Sequence, residues 1–318
     1  MKKVAEEHMY RHVNLSNHQV RTALFLRTLQ QRPELGSLIE SIAAYKRPVP
    51  LLYEDEPDFS SMQEIFREIL LPSLWTQSLS EASRLRAIDV TLDSYGKFQE
   101  NPEPYGRPVR HLTSASDRLQ TLAFHWWTYS KSMYEPRSTV PYADIARLLG
   151  YHTSLTHLEI TGLRKIDPLL RTDLPNLHTI KAYCKVVAAI VPGRPIQSVT
   201  ALHYDDPIHD EIDIHAVYST LTKSTALVTY LKVDLGYSYP LAITAGILMQ
   251  YLARALPYLE HLAFESDWGY YTTLDETVRL CFIVLSESKT HTCVELGLCS
   301  YCQSRLPTNH RVFICMEQ

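Results

Sequence analysis

One apolar phrase constrains this chain more than any other feature. An apolar residue is followed by two variable ones, an apolar residue, one variable residue and a third apolar residue. Leu119, Leu122 and Phe124 make one copy. Leu155, Leu158 and Ile160 make another, as do Leu177, Ile180 and Ala182, then Val228, Leu231 and Val233, then Leu259, Leu262 and Phe264. Looser copies begin at Leu85, Ile196 and Cys293. Two copies share a longer frame in which leucine and proline precede the phrase, Leu174–Pro175 before Leu177 and Leu256–Pro257 before Leu259. Self-similarity of this kind signals stacked units, each too small to bury its apolar face alone.

The phrase has a direct physical reading. Its first, fourth and sixth residues point into the stack, while the third, fifth and seventh point away from it. Parallel strands then bond neighbour to neighbour, and helices cover the other side. Apolar residues at helical spacing predict such helices at 141–149, 166–171, 185–190, 212–222, 241–255 and 274–286. A doubly wound α/β domain would show a similar alternation. The recurrence of the phrase and the paired Leu–Pro frames favour a solenoid of irregular leucine-rich repeats: a right-handed α/β horseshoe with a parallel inner sheet and outer helices.

The N-terminal part reads as an α/β cap over residues 1–60, with the solenoid over 61–318. Alternation from Tyr10 to Ser16 predicts a strand, and residues 19–31 a helix that Pro33 stops. Leu35 to Glu40 reads as the next strand. Prolines and acidic residues make 46–60 a loop, helices follow at 61–71 and 73–82, and 93–109 is the longest loop expected. The words Tyr10, Arg11, His12, Val13, Leu15 and then Arg32, Pro33, Glu34, Leu35 resemble the segment that follows the F-box in fungal F-box/leucine-rich-repeat-like proteins. The resemblance covers about 40 residues. It implies the substrate-recognition part of an SCF-type ubiquitin ligase, whose partner is a protein substrate. Almost none of an F-box precedes Tyr10, so a Skp-type adaptor is expected as a partner only where an upstream F-box exists.

Composition narrows the alternatives. A net charge of −4 and pI near 6.4 offer no basic footprint for nucleic acid. The apolar stretch 240–262 is interrupted by Gln250, Arg254 and Pro257, too polar to span a bilayer. Six cysteines behind an N-terminus with no apolar signal core read as reduced thiols of a cytoplasmic or nuclear protein.

No G-x-S-x-G, P-loop, G-x-G-x-x-G or H-E-x-x-H pattern occurs, so neither catalysis nor a cofactor is expected. The densest run of metal-ligand types spans His203 to His215 and includes Asp205, Asp206 and His209. Its spacing fits no catalytic metal motif, and acids there suit the start of a helix. It sustains one alternative: an open α/β-fold enzyme such as a metal-dependent hydrolase using this segment. Cys299 and Cys302 form a lone C-x-x-C, while Cys293 takes an inward repeat position, so buried thiols are expected rather than zinc.

Aromatic residues carry the strongest functional signal. Trp126, Trp127 and Tyr129, then Tyr204, then Tyr237 and Tyr239, then Trp268, Tyr270 and Tyr271 follow successive phrases, at what would be one rim of the stack. Exposed aromatics of this kind anchor protein interfaces, although capping the core at that edge would use them equally well. The inner face adds His125, Tyr183 and Tyr230 among mixed polar residues, Asp89, His157, Glu159, Lys181, Lys232 and His261 included. The expected function is protein binding.

Overall fold

The computed structural model describes residues 2–15, 19–44, 82–95, 118–129, 142–163, 165–167, 169–202, 219–234, 252, 255–266, 293–298 and 311–315. The chain forms two compact units, Met1–Asn176 and Leu177–Gln318. The class is α/β, built on parallel strands. The proposed boundary at residue 60 lies outside the described residues.

In the first unit, helix α1 (Lys2–Arg11) leads into β1 (His12–Leu15), and α2 (Gln19–Gln31) follows. A 3-10 turn (Pro33–Leu38) leads into β2 (Ser41–Ala44). Then come β3 (Ala87–Tyr95), β4 (Thr121–Tyr129), α3 (Tyr142–Tyr151) and β5 (His157–Thr161). The strands lie side by side in chain order, all parallel. In the second unit β6 (Thr179–Tyr183), β7 (Ser198–Leu202), β8 (Tyr230–Asp234), β9 (His261–Ser266) and β10 (Cys293–Leu298) repeat that arrangement. Helix α4 (Cys184–Ile190) follows β6, and β11 (Arg311–Cys315) pairs with β10 in the antiparallel sense. Doubly wound sheets reverse their strand order at a switch point; neither unit does so between its described strands.

Register explains why the phrase recurs. Leu122 pairs with Ile88 on one side and Leu158 on the other, so fourth positions stand in line. Val199, Leu231, Leu262 and Val294 do the same in the second unit. First, fourth and sixth residues of the phrases at 119, 155, 177, 196 and 228 are all buried. Aliphatic side chains stacked on their equivalents bury each strand's apolar edge against the next, at about 25 cal/mol per Å² removed from water.

A main-chain device holds the register. From β2 to β4 in the first unit and from β6 to β8 in the second, the carbonyl of the second position accepts two N–H groups from the following strand's phrase. The Arg86 carbonyl binds the amides of Gln120 and Thr121, and the Gln120 carbonyl binds those of Thr156 and His157, at 2.8–3.0 Å. The Gln197 and Thr229 carbonyls do likewise for Thr229 and Tyr230, and for Glu260 and His261. A tight turn precedes the phrase, its first amide bonding back three residues: Ile39 to Gly36, Leu85 to Ala82, Leu155 to His152 and Leu259 to Leu256, each at 3.1 Å. In the Leu–Pro frames that third preceding residue is Leu174 or Leu256, both buried.

Several expectations are corrected. Leu35 to Leu38 coil into a 3-10 turn because Pro33 at its start fixes a helical φ and gives up an amide that needs no partner there. The strand comes later, and Ile39 and Ile42 are its buried first and fourth positions, so this segment is a copy of the phrase. Tyr10, Val13 and Leu15 form another copy: α1 continues to Arg11, and only His12–Leu15 is strand. β3 extends to Tyr95, into the stretch expected to be loop, because it pairs residue for residue with β4. No helix forms in the described residues of 166–171; an Asp173 carboxylate bonding the Leu170 amide at 2.8 Å makes a turn there instead. Cys293 pairs with His261, which is a third position, and Val294 pairs with Leu262. By register the phrase in β10 is framed on Val294 and Leu296 rather than on Cys293.

Candidate functional site

Third, fifth and seventh positions share the face of the strands opposite the core. In the first unit that face gathers a polar cluster. Asp89 is the fifth residue of its phrase and Glu159 the fifth of another; His125 and Thr161 are both sevenths. His125 sits directly across from Thr161 and one strand from Thr91, so its ring reaches diagonally to both carboxylates. His125 Nε2 lies 3.2 Å from Asp89 Oδ1, and Nδ1 lies 2.7 Å from Thr161 Oγ1 and 4.0 Å from Glu159 Oε1. The ring thus hydrogen-bonds Thr161 through Nδ1 and stands within ion-pair distance of both carboxylates, between three strands. The side chains are only partly covered, at 18% exposure for His125, 22% for Asp89 and 30% for Glu159.

Beside this cluster the same face dips. Ser41, Ala43 and Ala87 carry short side chains at third and fifth positions of β2 and β3, leaving a shallow depression of about 260 Å³. His12 and Asn14 border it on one side, and Asp89 and Thr121 on the other. His12 Nδ1 and Ser41 Oγ are 3.0 Å apart across β1 and β2.

In the second unit, fifth positions bring Lys181, Thr200 and Lys232 into one row, and third positions bring Thr179, Ser198, Tyr230 and His261 into another. The Tyr230 and His261 rings are 6.3 Å apart and tilted by 44°. Tyr183 is half-buried at the seventh position of β6.

The remaining aromatic candidates divide in two. Trp126, Trp127 and Tyr129 lie within β4 rather than after it, paired in register with Leu92, Asp93 and Tyr95. Tyr204, Tyr237, Tyr239, Trp268, Tyr270 and Tyr271 lie outside the described residues, as do His203 to His215 and the Cys299–Cys302 pair. Among the described residues no group of His, Cys, Asp and Glu is arranged to hold a metal ion, and no helix is long and apolar enough to cross a membrane.

Thr161 and the depression are absent from a sequence-based candidate set. Aligning the phrases by their first residues would have found Thr161, since it shares the seventh position with His125. The depression needs the lateral alignment of β2, whose copy of the phrase is disguised by Ala43 and Ala44. No known protein-family model matches this sequence, and no curated protein matches it as a relative.

Proposed function

We propose that this chain is a protein-recognition scaffold, a solenoid of irregular leucine-rich repeats whose polar strand face receives a protein partner. One observation carries the reading: the same inward positions recur in register from strand to strand, while alternate positions hold unlike, mostly polar residues on the opposite face. A stack of this kind spends its apolar residues on its own cohesion and leaves a broad variable surface, which suits a partner's surface better than a small substrate. The resemblance around Tyr10–Leu38 extends the proposal to a role: substrate recognition for an SCF-type ubiquitin ligase.

Affinity capture from the protein's own cells, with mass spectrometry of what co-purifies, tests the reading. A defined partner set should be lost on changing His125, Tyr230 and Trp127 to Ala together, with the melting temperature held within a few degrees. Capture unaffected by those changes would move binding off this face. A pull-down with a Skp-type adaptor tests the role. The chain preceded by a complete F-box should bind, and the 318-residue chain should not, since the ten residues of α1 are few against the about 20–30 per side of a specific interface.

A further inference from the structure

We propose that the strand face of the first unit docks an extended protein segment through one basic side chain, which lies in the depression over Ser41, Ala43 and Ala87 with its cationic end at Asp89. The inference rests on the protein-binding reading and adds the chemistry of the partner. Three observations converge on it. The depression, about 260 Å³, is smaller than the roughly 300–1,000 Å³ of small-molecule pockets and partly open to solvent, so a single long side chain suits it better than a free metabolite. Its alanine floor offers the apolar surface that the methylene stem of lysine or arginine covers, with the charged head at the wet edge.

Charge is the third observation. Third, fifth and seventh positions of β1 to β5 include Asp89 and Glu159 but no lysine or arginine. The corresponding positions of β6 to β8 carry Lys181 and Lys232 beside a single acid, Asp234, so the face of the first unit is the more negative of the two. His125, on the neighbouring β4, stands 3.2 Å from Asp89 Oδ1 and 4.0 Å from Glu159 Oε1, between the two carboxylates. Charge-assisted hydrogen bonds to a carboxylate are about twice as strong as neutral ones. Arginine, with its planar fork, is favoured over lysine.

The test is to pan a phage-displayed random dodecapeptide library against the full chain, then titrate the best synthetic peptide by calorimetry at 0.15 M salt. A required arginine or lysine should emerge at one peptide position. Asp89→Asn, Glu159→Gln and Ala43→Leu, which fills the depression without touching a charge, should each weaken binding tenfold or more. Glu7→Gln, an equal charge change on α1, should leave it within twofold. Melting curves identify any variant that fails to fold, and Ala43→Leu and Glu159→Gln stand in for Asp89→Asn if that one does. Recovered peptides with no basic requirement, or equal losses with Glu7→Gln, overturn the inference and leave the protein-binding reading intact. Recovery of no peptide overturns it too; only a failed cellular capture as well would remove both.

Discussion

Leu158 and Glu159 are neighbours in sequence with opposite fates. Leu158 is 2% exposed and stacks on Leu122, whereas Glu159 stands on the open face. Leu158→Ala or Leu262→Ala is expected to cost about 2–5 kcal/mol in chemical denaturation. Changes at the outward His261 should cost about 0.5 kcal/mol or less. Losses of similar size at both kinds of position would mean the strand phase is wrong. Glu40 offers a second residue-scale prediction. The Arg11 side chain hydrogen-bonds it, with Nε 3.1 Å from Oε2, and holds its carboxyl below the ordinary value of 4.5. A folded value below the unfolded one stabilises above the unfolded value and is lost as pH falls through the folded value. Arg11 is exposed and Glu40 only partly covered, so the effect on stability is small, and the informative measurement is the NMR titration of Glu40. Arg11→Met should move its midpoint up toward 4.5; an unmoved midpoint would show that Arg11 is not the cause.

At the scale of elements, the strands most visible in the sequence are those whose three apolar positions are large. Leu119, Leu155 and Leu177 announce their phrases; Tyr10 and Ile39 do not, because tyrosine and alanine occupy places where leucine would be recognised. Around Cys293 the alternatives are symmetrical, since apolar residues at 293, 294, 296 and 298 satisfy two framings, and only pairing with β9 chooses between them. The Asp89–His125–Thr161 cluster was half legible. Each residue's outward direction follows from its place in the phrase, but their meeting depends on lateral register, which no single strand encodes. Arg194 was not legible at all. It is 2% exposed, and its guanidinium bonds the carbonyls of Ile190 and Pro192 where α4 ends. A cation at a helix C-terminus complements the dipole and satisfies carbonyls the helix leaves unpaired. Arg194→Met is expected to cost about 1.5–3 kcal/mol, the value of hydrogen bonds to a charged group. A change under about 0.5 kcal/mol would show that water replaces the guanidinium without loss.

At the scale of the whole molecule, the described strands cohere by neighbour-to-neighbour burial, and no cofactor is expected. The purified protein is expected to carry less than about one equivalent of any transition metal and to melt at the same temperature in chelator, because a structural metal would be coupled to folding. Stoichiometric zinc, or a melting temperature lowered by chelator, would restore the readings at His203–His215 or the C-terminal cysteines.

The second-position carbonyls have a consequence for how such a chain can change. Within each unit, strands are aligned to their neighbours by an oxygen atom that every amino acid possesses. Arg86, Gln120, His178, Gln197 and Thr229 perform this task with unrelated side chains. Alignment is therefore indifferent to the genetic letter at that place, and mutation can rewrite it without slipping the strands. The same indifference reaches the outward positions, which face no core. Copies of the unit are thus free to diverge until only three apolar places in six still record a common pattern. A lineage built in this way keeps its architecture long after its spelling has ceased to reveal its kin.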